Sequence, residues 1–239
     1  MEAEEKGMVP ESQAGFRKGR STVDNIFVLN HLIQKIKGKG GKVEKVYALF
    51  ADLKAAFDNV DKEILWRILQ GKGIKEQLIR RLEKIYDETE VVVRTSHGYT
   101  EEFQTSKGVR QGCVMSLLLF NLYVADLAEV MKKRGIGGIE VDKIRVWNSE
   151  YADDIVMVAR NRDALIDMMS TMKRFLKERK LELCTDKTKI VVFNSKRKEG
   201  KESVMAYGVE IWGWEEKVEL EKIMMDYIRW IFSIDFCTL

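Results

Sequence analysis

The chain has 239 residues, 45% of them hydrophobic and 33% charged, with a formal net charge of +3, proportions that suit a chain able to bury a core and exclude a disordered tail. Its most apolar stretch, residues 114–131, is interrupted by Ser116, Asn121, Asp126 and Glu129 and reads as a buried helix, so no membrane span is expected. No basic-then-apolar leader opens the sequence, and Cys113, Cys184 and Cys237 lie far apart without metal-ligand spacing, which together predict an intracellular protein, cytoplasmic or nuclear, with reduced thiols.

Residues 1–11 form an acidic lead-in containing Pro10, the single proline. Over 22–37 the apolar residues Val23, Ile26, Phe27, Leu29, Ile33 and Ile36 recur at helical spacing, and the glycines of 38–41 stop that helix. Residues 43–53 alternate loosely and predict a buried strand. Asp61 is placed to cap a helix running to about residue 69, and another helix covers 75–87. Residues 91–95 and 101–105 predict a hairpin about Ser96, His97 and Gly98. A long helix over 115–134 follows, then a strand at 143–147, a tight acidic turn and a second strand at 155–159. Residues 161–180 return to helix with Leu165, Met168, Met169, Met172, Phe175 and Leu176 on one side, and 183–193 contain a last strand. The remaining segment, 199–239, holds three of the five tryptophans and a predicted helix at 215–232. Strands and helices interleave without regular βαβ alternation, which points to an α+β fold.

Charge is unevenly distributed. Residues 12–198 hold 36 bases and 25 acids, a balance of +11 between two acidic ends. A block that basic suits a phosphate-backbone partner, although lysines and arginines that merely solvate helix faces give the same excess.

Three segments could carry chemistry. Tyr151–Ala152–Asp153–Asp154 puts adjacent carboxylates on a tight connection, where they repel each other unless a divalent cation intervenes. An ordinary acidic turn would look the same in isolation. Asp52 falls at the end of the predicted strand in Phe50–Ala51–Asp52–Leu53–Lys54–Ala55–Ala56–Phe57–Asp58, where a lone buried carboxylate is costly. Beside the acidic turn it would complete a trio able to hold two cations for in-line phosphoryl transfer. Asp58 reads as a residue that fixes the turn into the next helix. Lys107–Gly108–Val109–Arg110–Gln111–Gly112–Cys113 enters a helix, with glycines that let backbone approach a ligand and Gln111 as a neutral donor and acceptor.

In this order, with Ser12–Gln13–Ala14–Gly15–Phe16–Arg17–Lys18–Gly19–Arg20–Ser21–Thr22 ahead of them, the segments resemble the reverse transcriptase of a non-LTR (LINE-type) retrotransposon over nearly the whole chain. The stretch at 12–22 resembles its fingers motif, 50–58 motif A, 108–116 motif B, 151–154 motif C and 181–189 motif D. The resemblance implies a polymerase palm, an antiparallel sheet with helices packed on one face, with partial fingers and the thumb largely missing. The corresponding domains are a lead-in at 1–11, a fingers remnant at 12–45, the palm at 46–198 and a C-terminal helical remnant at 199–239. It further implies that Asp52, Asp153 and Asp154 bind two Mg²⁺ ions, with Mn²⁺ as a substitute. Phe57 would lie under the incoming sugar, and Gln111 with Gly112 would contact the incoming nucleotide. Arg17 and Arg20 would grip its triphosphate ahead of Lys18, and Lys187 would be the general acid toward pyrophosphate. The implied partners are an RNA template, a DNA primer and deoxynucleoside triphosphates.

The pattern is broken at several places. Val114 and Leu117 stand where motif B of the family usually carries prolines, which restores a backbone N–H and frees φ. Thr185 and Asp186 depart slightly from motif D. After Phe193 and Asn194 the chain passes to Tyr207–Gly208–Val209–Glu210–Ile211–Trp212, which resembles sequence well beyond the thumb, so an internal deletion and impaired polymerisation are expected. A catalytically inactive RNA- or DNA-binding remnant is the alternative reading, and salt-dependent RNA binding without nucleotide incorporation would select it. A nucleotide cyclase also pairs carboxylates across two strands. The Gln111 loop and the fingers-like stretch argue against that class.

Overall fold

The computed structural model describes residues 4, 6–37, 44–87, 90–96, 98–105, 107–141 and 143–193. The expected 38–41 loop and 215–232 helix lie outside them. In chain order the elements are α1 (Thr22–Lys37), β1 (Val46–Ala51), α2 (Lys62–Gly71) and α3 (Glu76–Asp87), then the short strands β2 (Glu90–Val91), β3 (Arg94–Thr95), β4 (Gly98–Tyr99) and β5 (Phe103–Gln104). There follow α4 (Val114–Val124), α5 (Asp126–Arg134), β6 (Ile139–Val141), β7 (Ile144–Val146), β8 (Asn148–Tyr151), β9 (Asp154–Ala159), α6 (Arg162–Glu178) and β10 (Lys189–Phe193). The fold is α+β, as expected.

Local chemistry explains most boundaries. The Asp61 side chain accepts the Ile64 N–H and caps α2, and Asn161 does the same for Ala164 at the start of α6. Gly135, at φ 65°, ends α5 in the left-handed conformation that a non-glycine residue adopts at a cost. The single helix expected at 115–134 is interrupted at Ala125, where Asp126 begins α5 and pairs with both Lys72 and Arg179. Its apolar face is interior: Leu119, Phe120, Leu122, Tyr123, Val124, Leu127 and Met131 are all buried in the protein core.

At the centre lies a four-stranded antiparallel sheet in the order β10–β1–β9–β8. Alternation along β1 and β9 sends side chains to opposite faces. Leu49, Ala51, Ile155, Met157 and Ala159 join the main core with residues of α2 through α6. Val46, Ala48 and Val158 face the other way and pack under Leu29, Leu32, Ile33 and Ile36 of α1, with Ile139 of β6. The expectation of helices on one face only is therefore corrected: α1 covers the second face. Periodicity reveals a helix's apolar stripe but not which side of a sheet it will cover.

The hairpin and the acidic turn also differ from expectation. The 90–104 arms pair as Val91 with Phe103 and Arg94 with Tyr99, so the second arm begins at Gly98. The strand entering the acidic turn is β8. The expected 143–147 strand is instead β7, which pairs with β6.

Candidate active site

Ala51 pairs with Ile155 across β1 and β9, and the chain leaves the ladder at Asp52 on one strand where β9 begins with Asp154 on the other. Tyr151 pairs with Asp154 to close the β8–β9 turn, so Ala152 and Asp153 form its tip. The sheet thus brings Asp52, Asp153 and Asp154 to one end. Burial, and after it the nearby Asp52 charge, raises the Asp153 carboxyl above its ordinary range, while its own backbone N–H and Lys187 pull the other way. Burial together with the charges of Asp153 and Asp52 pushes Asp154 up to about 7, again opposed by Lys187. The Lys187 ammonium stands 3.7 Å from Asp52 Oδ2 and is itself more than half exposed.

Among the described residues no three His, Cys, Asp or Glu side chains converge into a ready cage for an ion. The donors are all carboxylate oxygens, the chemistry that suits Mg²⁺ or Mn²⁺.

Each half of this end is held from a distant part of the chain. At Asp52 the backbone N–H donates to Thr188 Oγ1 at 3.4 Å, and the carbonyl accepts from the Cys184 N–H at 2.9 Å. Leu53 and Leu183 form an antiparallel bridge beside these bonds, so the 181–189 stretch is stitched to the strand end that carries Asp52.

The turn is held from residues 12–15. Ala152 lies at φ 57°, a left-handed conformation that costs a non-glycine residue roughly 1–3 kcal/mol. Gln13, fully buried, secures it on both sides: its Oε1 accepts the Ala152 N–H at 2.8 Å, and its Nε2 donates to the Ala152 carbonyl at 3.1 Å. The same Oε1 accepts the Gly15 N–H at 2.8 Å. Backbone bonds from Ala14 N–H to Glu150 O at 2.8 Å and from Glu150 N–H to Ser12 O at 2.7 Å lay the segment beside β8. A β-carbon on Gly15 would lie 2.2 Å from the Ala152 nitrogen, so only glycine fits there. Asn121 of α4 donates to the Gly15 carbonyl at 2.8 Å from the other side. Behind the turn the Glu150 carboxyl is fully buried against Gln13 and Asn148, and burial, opposed by hydrogen bonds from Asn148 and Ser12, pushes it up to about 8.

Residues 107–113 pack on the segment that follows Asp52. Gly108 N–H donates to Val60 O at 2.8 Å and Val109 N–H to Phe57 O at 2.9 Å. A side chain on Gly108 would press against the Asp58 backbone. Gln111 is exposed and its Nε2 donates to Asp58 Oδ1 at 3.0 Å, while Gly112 takes φ 78°. The role expected of Asp58, fixing the entry to the next helix, falls to Asp61, which caps α2, and the Asp58 carboxylate holds Gln111 instead. Phe57 stacks on Phe120 at 4.5 Å and meets Phe16 edge-on at 6.5 Å, and Phe16 in turn lies 6.4 Å from the Tyr151 ring. These rings form a ledge from the 52–58 segment to the acidic turn.

The cations of the 12–22 stretch are placed differently from one another. Arg17, expected at a triphosphate, is instead largely buried, donating to the Pro10 and Gln13 carbonyls at 3.1 Å each and pairing with Glu11 at 3.2 Å. Arg20 pairs with Glu11 and is more exposed. Sequence reading does not single out Gln13, Gly15, Asn121, Asn148 or Glu150. The one signal available is that Gln13 and Gly15 fall inside the 12–22 stretch. No local pattern points to a partner 139 residues away, as Ala152 is from Gln13.

The fold defines the class. It matches the chain of a solved telomerase from Candida tropicalis in complex with a telomeric RNA fragment, at a TM-score of 0.60 and 13% identity over 77% of this chain and 30% of that one. The family described as reverse transcriptase (RNA-dependent DNA polymerase) matches residues 3–219, and the chain belongs to that family. Among curated relatives, an uncharacterized 149 kDa protein of transposon TX1 from Xenopus laevis is 30% identical over 63% of this chain. A probable RNA-directed DNA polymerase from transposon X-element of Drosophila melanogaster is 26% identical over 82%. The chain spans 11% and 21% of the lengths of these two relatives.

Proposed function

We propose that this chain is the catalytic core of a retrotransposon polymerase that copies an RNA template onto a DNA primer by two-cation nucleotidyl transfer. The observation that carries the reading is the meeting of Asp52 with Asp153 and Asp154 at one end of an antiparallel sheet, close enough for the Asp52 charge to raise both of the others. Residues 46–193 then correspond to a palm and residues 12–37 to part of the fingers.

Asp52, Asp153 and Asp154 would hold the cations, which supply activation of the primer 3′-oxygen and neutralisation of the leaving pyrophosphate. The remaining roles belong to the chain's own side chains. Phe57, fixed between Phe16 and Phe120, presents a ring beneath the incoming sugar and leaves no room for a 2′-hydroxyl. Gln111, oriented by Asp58, and the left-handed backbone at Gly112 border the nucleotide. Arg20 exchanges Glu11 for the triphosphate, whereas Arg17 keeps the 10–17 loop in shape. Lys187, beside Asp52, donates a proton to the leaving pyrophosphate.

Primed poly(A) supplied with Mg²⁺ and labelled dTTP tests the reading. Weak template-dependent extension by the full chain, abolished by Asp153→Asn, is the expected result. RNA binding that weakens with salt, without any incorporation, would overturn it in favour of a non-catalytic binding role.

A further inference from the structure

We propose that Gln13 is a positioning residue that sets how tightly the Asp153–Asp154 turn takes a divalent cation, an inference that rests on the two-cation reading above. Its basis is geometric. Ala152, the residue before the two carboxylates, is held at φ 57°, a conformation that L-residues avoid because the β-carbon crowds the carbonyl oxygen. A turn in that state relaxes unless its surroundings over-determine it. Here a single buried side chain meets both polar groups of the strained residue, accepting from Ala152 N–H at 2.8 Å and donating to its carbonyl at 3.1 Å. A side-chain amide accepts and donates at once without charge whatever the pH.

The clamp is fixed in its turn. Gln13 Oε1 also accepts from Gly15 N–H at 2.8 Å, and the absence of a side chain at Gly15 lets the segment close onto the Ala152 nitrogen. The Gln13 amide nitrogen reaches Glu150 Oε2 at 3.4 Å, a long contact that orients the amide plane. The bonds of Gln13 go to the backbone of Ala152 and not to either aspartate carboxylate. Its influence runs through that backbone: the tilt of the 152–153 peptide decides where both carboxylates point, and like charges drive them apart once that tilt is lost.

Free Mn²⁺ measured by electron paramagnetic resonance during titration of the full chain reads cation binding without any need for turnover. Gln13→Met, close to isosteric but without either hydrogen bond, is expected to weaken Mn²⁺ binding about tenfold, equivalent to about 1.4 kcal/mol. Adding Ala152→Gly, which lets the turn adopt positive φ unaided, is expected to recover most of that loss. Asn25→Ala removes a neighbouring bond, from Asn25 Nδ2 to the Glu150 carbonyl at 3.0 Å, without touching Ala152, and is expected to leave Mn²⁺ affinity within twofold. If Gln13→Met does not fold, Gln13→Asn keeps the amide on a side chain one methylene shorter, which cannot span both polar groups of Ala152, and an intermediate loss of about threefold is expected.

Several results overturn the proposal: Gln13→Met binding Mn²⁺ like the unaltered chain, no recovery on adding Ala152→Gly, or an equal loss in Asn25→Ala. An unaltered chain that binds no Mn²⁺, or binds it equally well as Asp153→Asn, overturns the two-cation reading itself and this inference with it. That outcome is distinct from a chain that binds Mn²⁺ but ignores Gln13.

Discussion

Asp52 and the 151–154 turn reach the same end of the sheet, yet they are held in different ways. Asp52 sits on chain leaving β1, tied by one long bond from its N–H to Thr188 and one from Cys184 to its carbonyl, with its carboxylate facing a long, half-exposed lysine side chain. The turn is strained at Ala152 and locked by a buried amide, a glycine that tolerates no side chain, and an acid whose burial raises its pKa. Misplacement of a reacting group by about 1 Å can cost ~10²-fold in rate, so a difference in how the two halves are held should show in the effect of disturbing each.

Disturbing the rigid half should therefore cost most. Gly15→Ala forces a β-carbon to within 2.2 Å of the Ala152 nitrogen, so the turn must move. The same shift pulls the Gly15 carbonyl away from the Asn121 amide that donates to it. Primer extension is expected to fall by about 10²-fold or more. Retained activity would show that the turn is softer than its packing implies.

Glu150→Gln probes the same half through pH. The folded Glu150 pKa of about 8 lies above its unfolded value near 4.5, so between those limits the folded chain keeps a proton that the unfolded chain has released. Stability from this group therefore falls as pH rises from 4.5 to 8, by up to about 1.4 kcal/mol per pH unit. Denaturant midpoints measured across that window should show the fall in the unaltered chain and a flatter profile in Glu150→Gln, with the variant the more stable above pH 8.

On the Asp52 side, smaller effects are expected. Lys187→Met should lower the maximal extension rate about tenfold, somewhat less than the usual effect of a lost general acid. Thr188→Val removes the acceptor of the 3.4 Å bond from Asp52 N–H and the 2.8 Å bond that the Thr188 hydroxyl donates to the Cys184 carbonyl, and a change of less than about threefold is expected in single-nucleotide incorporation. If Thr188→Val proved as damaging as Gly15→Ala, the contrast between the two halves would collapse.

That Asp52 and the 151–154 turn would come together was legible because each falls in a short apolar setting where a bare carboxylate is costly, and the β1–β9 pairing brings them to one end of the sheet. Helices α1, α2, α3 and α6 were readable from apolar spacing and, for α2, from the Asp61 cap, signals that lie within a few residues of each other. The strand β8 was missed for the opposite reason. Asn148, Ser149 and Glu150 read as polar turn flank, and what makes Glu150 tolerable inside is a set of partners that includes Gln13 and Asn25, more than 120 residues earlier. The burial of Arg17 was illegible for the same reason, since its acceptors at Pro10 and Gln13 are backbone carbonyls to which composition gives no clue.

Whether Asp52, Asp153 and Asp154 together form a two-cation site is tested most directly by anomalous diffraction from a crystal of this chain grown with Mn²⁺ and a deoxynucleoside triphosphate. Two peaks about 3.5–4 Å apart between Asp52 and the 153–154 turn, with the nucleotide phosphates completing the coordination, are the expected result. Density for the nucleotide with no anomalous peak at these three carboxylates would contradict the two-cation site.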